Sequence, residues 1–237
     1  MPKDKKRLRL IVSTAVAAVA VPLLIALGAA FWDSRKYYLI SIAIIILSMI
    51  PFVLRFEKGR RTARELVVLA VMIAIGVAGR AAFYMLPQFK PIAAIAIISG
   101  VAFGCESGFI VGAMIAFVSN FIFGQGPWTP WQMEALGLLG FIGGLIFHRA
   151  DGSLPKLVPL VIFGGLGTLL IYGPIADAST VFTSYSELNI GVFAAVFASG
   201  LVPNLVHAAA TVIFLAVLAK PLLKKLNRIR VKYGILE

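Results

Sequence analysis

The chain has 237 residues, of which 60% are hydrophobic and only 14% charged, and its formal net charge is +12. Soluble domains average roughly 45–50% apolar and about 25% charged residues, so the composition excludes an ordinary soluble enzyme. The basic residues lie between apolar stretches instead of on a soluble module, which argues against nucleic acid as a partner. Because backbone groups in lipid need internal partners, we expect an all-α integral membrane fold.

Apolar stretches predict eight membrane-spanning helices, since a bilayer core of about 30 Å takes roughly 20 helical residues. In chain order they are 10–32, 37–54, 66–86, 91–104, 107–123, 131–147, 157–176 and 190–219. The first could instead be a cleaved signal peptide, although its apolar part exceeds the roughly 7–15 residues of such a leader.

The charged connector at 55–65 predicts a boundary between two regions. Residues 1–62 form a two-helix amino-terminal extension with this connector at its end, and residues 63–237 form a six-helix core with a basic tail. Eight spans place both termini on the same side of the membrane, and most of the 22 Lys and Arg residues lie in segments on that side. Cytoplasmic segments retain positive charge, so we expect a multi-pass protein of the cell membrane with both termini in the cytoplasm.

Motifs for catalysis are missing from the sequence. The chain has no GxxxxGK[ST] phosphate loop, no HExxH and no GxSxG, and its single cysteine, Cys105, excludes multi-cysteine metal sites. We therefore expect a protein that is not an enzyme and has no cofactor or metal. An intramembrane enzyme using His207 with Ser199 or Glu134 is the alternative, and it rests on residue identity alone.

Polar and aromatic residues of the core gather at the predicted outer helix ends. The segment 124–131 has two glycines and two prolines, so at membrane depth it must pack on protein or line a cavity. Aromatic walls with a few convergent polar groups indicate a small-molecule pocket. The predicted substrate-binding residues are Arg80, Tyr84, Asn120, Gln125, Trp128, Trp131, Gln132, Glu134 and Asn204.

Several of these residues have a second interpretation. Trp128 and Trp131 could belong to an interfacial aromatic belt. Arg80 could snorkel to the interface instead of pairing with Glu134 or Asp177 in the cavity. Asn204 and His207 share the last helix with Pro203, and the asparagine could simply satisfy backbone groups freed by a proline kink.

Small residues recur at four-residue spacing on two core helices. Ala70, Ala74 and Ala78 lie on the first, and Gly108, Gly112 and Ala116 lie on the third. Such stripes let helix backbones approach closely in lipid, so they predict either a partner interface or packing within the bundle.

The core at 63–220 resembles the substrate-binding S component of an energy-coupling factor (ECF) transporter. The resemblance rests on the six short helices, the two stripes and the decapeptide GQGPWTPWQM at 124–133. It implies an outer pocket for a vitamin, and stripes that contact a transmembrane coupling subunit driven by two ATPase subunits. It does not cover the two amino-terminal spans.

Among S components the chain looks most similar to those of the cobalamin type, so cobalamin is the expected ligand. Riboflavin, thiamin, folate, pantothenate or a queuosine precursor remain alternatives. A second class is an ion-coupled secondary transporter, which would need carboxylates near the midplane of the membrane. We expect Glu134 and Asp177 to lie nearer the outer surface.

Overall fold

The computed structural model describes residues 63–149, 151–185 and 189–233, together with isolated positions between 11 and 47. The spans expected at 10–32 and 37–54 and the connector up to residue 62 lie outside the described residues, apart from those isolated positions. Within the ranges from 63 to 233, every regular element is a helix.

The helices follow the order of the predicted core spans. They are α1 (Ala63–Ala82), α2 (Ile92–Phe103), α3 (Cys105–Phe123), α4 (Thr129–Phe147), α5 (Leu157–Gly167), α6 (Gly173–Ser184) and α7 (Ile190–Tyr233). A π-helical turn, Thr168–Tyr172, joins α5 to α6 without a break. By length and composition, four of these described stretches can cross a membrane, namely α3, α4, the continuous helix Leu157–Ser184 and α7. Shorter apolar helices lie at Leu66–Ala82 and Ile92–Phe103, and the chain is a multi-pass membrane protein.

Two helices extend beyond the predicted spans. The segment from Asp177 was expected to be an outer loop, but α6 continues to Ser184. Its polar side chains are accommodated within the helix, where Thr183 Oγ1 donates to Ser179 O at 2.7 Å. At the other end of the core, α7 continues past Lys220 to Tyr233, where only a basic tail was expected.

Helices α2, α3 and α4 meet through a glycine seam, formed by Gly100, Gly108, Gly112, Gly140 and Gly144. A Cβ atom added to Gly140 would lie 2.2 Å from the carbonyl oxygen of Gly108, and one on Gly112 would lie 2.3 Å from that of Leu136. Atoms cannot approach so closely, so these backbones pack at a distance that only glycine allows.

The glycine seam includes two residues of the second small-residue stripe, Gly108 and Gly112. Gly108 and Gly112 are buried against α4, and Ala116 is 1% exposed. The stripe on α3 therefore packs inside the bundle, as its alternative interpretation predicted. A partner that contacts the protein as folded here would not reach these residues.

The stripe on α1 is placed differently. Ala70, Ala74 and Ala78 are all exposed, and the apolar side chains of Val67 and Val71 are exposed beside them. We call this surface the alanine face. It is the part of the predicted partner interface that the fold leaves accessible among the described residues.

Candidate binding cavity

A cavity of about 550 Å³ opens between the α1–α2 loop, α4, α6 and α7. Its volume lies within the roughly 300–1,000 Å³ typical of small-molecule sites. Its polar and aromatic lining residues are Arg80, Gln88, Lys90, Trp128, Gln132, Tyr172, Asp177, Ser179, Thr180, Thr183, Ser184, Ser199, Asn204 and His207. Four of the predicted binding residues are among them, namely Arg80, Trp128, Gln132 and Asn204.

Arg80 enters the cavity from the last turn of α1. Its Nη1 atom donates to Ser119 Oγ at 2.6 Å and to Asn120 Oδ1 at 2.7 Å. The guanidinium carbon also lies 4.9 Å from the centroid of the Phe123 ring, a cation–π distance. Arg80 is thus held by neutral groups of α3 and not by Glu134 or Asp177, the pairing that was one of the two alternatives from the sequence.

A buried hydrogen-bond network continues from Asn120 into the glycine- and proline-rich segment. The amide nitrogen of Asn120 donates to Gln132 Oε1 at 2.9 Å and to Thr129 Oγ1 at 3.0 Å. Thr129 Oγ1 in turn donates to Gln125 Oε1 at 2.9 Å and accepts from the backbone of Gly126 at 3.3 Å. A hydroxyl offers one donor and two acceptor sites, so all the bonds of Thr129 are made.

The network explains how this glycine- and proline-rich segment is ordered. Gln125 Nε2 closes the segment onto α3 by donating to Phe117 O at 2.9 Å. Asn120 and Gln125 therefore position the cavity wall without lining it, while Gln132 belongs to both the network and the wall.

The two tryptophans of this segment have different surroundings. Trp128 lines the cavity and is 42% exposed. Its ring covers Gly126, where an added Cβ atom would lie 2.4 Å from the ring. Trp131 instead stacks on Phe182 of α6, with ring centroids 5.5 Å apart and an interplanar angle of 11°. It is not among the residues that line the cavity.

Opposite α4, helices α6 and α7 are joined by a carboxylate–amide pair. Asn204 Nδ2 donates to Asp177 Oδ2 at 2.9 Å. The carboxylate sits against Gly200, where a Cβ atom would lie 2.2 Å from Asp177 Oδ1. Gly200 therefore makes room for Asp177. The same wall carries the hydroxyl row, which consists of Ser179, Thr180, Thr183 and Ser184 of α6.

The α1–α2 loop forms the rim of the cavity and is held by Lys90. The ammonium group donates to the carbonyl oxygens of Phe83, Tyr84 and Leu86 near the end of α1. Partial burial, and secondarily the charge of Arg80, lower the pKa of Lys90 from its usual value. Both cations of this region face the same cavity.

Besides Asn120, Gln125 and Trp131, two further predicted binding residues lie away from the cavity lining. Tyr84 is 64% exposed and stacks on Phe123, with ring centroids 5.4 Å apart. Glu134 is 3% exposed, and neither carboxylate oxygen has a hydrogen-bond partner among the described residues.

Other lining residues were absent from the predicted set. The hydroxyl row, Tyr172, Lys90 and Asp177 line the cavity, although the sequence analysis assigned Asp177 only as a possible partner of Arg80. The spacing 179, 180, 183, 184 is a helical i, i+4 pattern, and this signal could have found the row. Among the described residues, no group of three His, Cys, Asp or Glu side chains could hold a metal ion.

Comparison with known proteins gives one match. The model of a protein family described as "ECF-type riboflavin transporter, S component" matches residues 60–227, which is more than half of the chain. No curated protein and no solved structure matches the chain. The family match supports the resemblance to S components, which are transporter subunits and not enzymes, and it gives no support to a cobalamin-type similarity.

Proposed function

Since the chain belongs to the family of ECF-type riboflavin transporter S components, we propose that it is the substrate-binding membrane subunit of a vitamin importer and that its ligand is riboflavin. The observation that carries this proposal is the cavity of about 550 Å³ with one aromatic and several polar walls. A cavity of this size suits a drug-sized molecule.

The chemistry of riboflavin fits the cavity walls. Its planar isoalloxazine ring could stack on Trp128, since aromatic rings prefer offset-stacked or edge-to-face arrangements. Its ribityl chain carries several hydroxyls that can donate to the hydroxyl row, because Thr180 Oγ1 and Thr183 Oγ1 already donate to backbone carbonyls of α6 and can still accept. Its imide edge presents donors and acceptors that amides such as Gln132 and Asn204 can match. Cobalamin, the ligand expected from the sequence, is several times larger than riboflavin and fits this volume less well.

Transport needs partners, and the alanine face supplies a surface for one. We propose that it contacts a transmembrane coupling subunit, which two ATPase subunits drive. Its small side chains would let a partner helix approach closely within the lipid. The cytoplasmic location of both termini remains part of this proposal.

The ligand is tested by titrating the detergent-purified protein with riboflavin and following flavin fluorescence. We expect saturable binding, no displacement by excess cobalamin, and riboflavin as the compound identified by mass spectrometry of copurified material. Copurified thiamin, folate, pantothenate, a queuosine precursor or cobalamin would replace riboflavin as the ligand.

The transport class is tested in proteoliposomes. We expect riboflavin uptake only when the coupling subunit, the ATPases and ATP are present. Uptake by this chain alone, driven by an ion gradient, would instead indicate a secondary transporter and contradict the proposal.

A further inference from the structure

His207 lies at the cavity with a side chain that the protein itself leaves unbonded. It is 2% exposed, it lines the cavity, and neither ring nitrogen has a hydrogen-bond partner among the described residues. A neutral imidazole has one donor and one acceptor. Each buried polar group left unpaired costs about 1–3 kcal/mol, so such an arrangement calls for an explanation.

Neither side-chain packing nor a kink at the neighbouring proline explains why the His207 ring has no hydrogen-bond partner. The ring of His207 meets that of Tyr172 edge to face, with centroids 4.5 Å apart and an interplanar angle of 81°, and this contact leaves both nitrogens unpaired. The side chain of Asn204 is engaged with Asp177. The carbonyl oxygen of His207 accepts a bond from Thr211 Oγ1 at 2.9 Å, so the ring is the part of this residue without a partner.

The backbone opposite His207 is irregular. The π-helical turn Thr168–Tyr172 ends at the tyrosine that packs against the histidine. Thr168 Oγ1 lies 3.1 Å from Thr211 Oγ1, which ties this turn to α7 one helical turn beyond His207. Single π turns within helices occur frequently at functional sites. A backbone irregularity and an unbonded buried ring thus meet at one wall of the cavity.

We propose that His207 is a ligand-binding residue whose ring hydrogen-bonds a neutral group of the substrate that can donate and accept, such as a hydroxyl or an imide. Tyr172 holds the ring in place by its edge-to-face contact. This assignment rests on the proposed function, because it makes the vitamin the missing partner of the imidazole.

The chain provides a built-in control, since it has only two histidines. The Nδ1 atom of His148, at the end of α4, lies 2.8 Å from Val101 O and outside the cavity lining. We would label the histidines with ¹⁵N, assign the two rings with a His148→Gln variant, and record spectra with and without riboflavin. We expect the ring nitrogens of His207 to shift and those of His148 to stay.

The outcomes separate this inference from the proposed function. If flavin fluorescence shows that wild-type protein binds riboflavin while the His207 signals do not move, the inference is overturned. If wild-type protein does not bind riboflavin at all, the proposed ligand fails first.

Variants give a second measurement. We expect His207→Leu to raise the Kd for riboflavin about tenfold or more, which corresponds to one lost hydrogen bond. His207→Gln, which keeps a donor and an acceptor, should recover part of the affinity. An unchanged Kd in folded His207→Leu protein would show that the ring is only packed there. Should the leucine variant fail to fold, the labelled wild-type spectra decide.

Discussion

The guanidinium of Arg80 and the side-chain amide of Asn120 are joined by a 2.7 Å hydrogen bond that ties α1 to α3 beside the cavity. Asn120 is fully buried, and its amide nitrogen donates to both Thr129 and Gln132. Asn120 therefore connects Arg80 to the segment that carries Trp128. Removing the Asn120 side chain would take one hydrogen bond from Arg80 on α1 and one each from Thr129 and Gln132 on α4.

We predict that Asn120→Ala lowers the free energy of unfolding by about 2 kcal/mol or more, because several buried polar groups lose a partner at once. The matched control is Asn189→Ala, which removes an exposed bond that the backbone N–H of Val192 donates to Asn189 Oδ1. Its cost should be about 1 kcal/mol or less. The measurement is thermal unfolding of each variant in the same detergent. Equal shifts in the two variants would contradict a central role for Asn120.

Substitutions of Trp128 and Trp131 should have different effects on ligand affinity. Trp128→Ala removes an aromatic wall of the cavity, and we expect the Kd for riboflavin to rise about thirtyfold, since an aromatic anchor that the ligand covers contributes roughly 2 kcal/mol. Trp131→Ala breaks the stack on Phe182, so it should mainly lower the unfolding temperature. Equal loss of affinity in both folded variants would show that the two rings act together on the ligand.

A substitution at Gly126 tests whether the position of the Trp128 ring matters, because it displaces the ring without removing it. Gly126→Ala places a methyl group where the ring now lies, 2.4 Å from its nearest atom, so the indole must move. We expect this variant to reproduce part of the affinity loss of Trp128→Ala. The control is the double variant, in which Gly126→Ala should cost nothing further because the displaced ring is already gone. Additive losses would mean that the methyl group disturbs the backbone instead.

The sequence was sufficient for the helical core but not for the shape of the cavity. Apolar stretches reveal membrane helices directly, and the helix ends of α3 and α4 fall within two residues of those expected. Hydropathy contains no information about which side of a helix meets which neighbour. Trp128 and Trp131 therefore appeared equivalent, and only the contact with Phe182 distinguishes them.

Small-residue spacing had the same ambiguity. Alanine and glycine stripes both let backbones approach, yet the fold exposes one and buries the other. The distinction depends on which helix lies opposite, and that is a tertiary property. Asn204 and His207 were also ambiguous in the sequence, where Asn204 could have satisfied backbone groups freed by a proline kink. In the structure the Asn204 side chain instead bonds Asp177.

The glycine seam and the alanine face lead to opposite predictions for single substitutions. Gly140→Ala inserts a Cβ atom 2.2 Å from the backbone oxygen of Gly108, and backbone cannot move aside as a side chain can. Helices α3 and α4 must separate, so we expect a strong fall in unfolding temperature and loss of ligand binding. Ala74→Leu adds volume on the exposed alanine face, so the isolated protein should keep its stability and its Kd for riboflavin.

Assembly is where Ala74→Leu should act. A bulky side chain would hold a partner helix away from α1, and we expect less coupling subunit to copurify and slower ATP-dependent uptake. Phe121→Ala is a suitable control, because Phe121 is 63% exposed on another helix and its truncation leaves the alanine face intact. If Ala74→Leu protein assembles normally with the coupling subunit, the alanine face is not part of the interface. Loss of riboflavin binding in the isolated Ala74→Leu protein would instead mean that this face supports the fold.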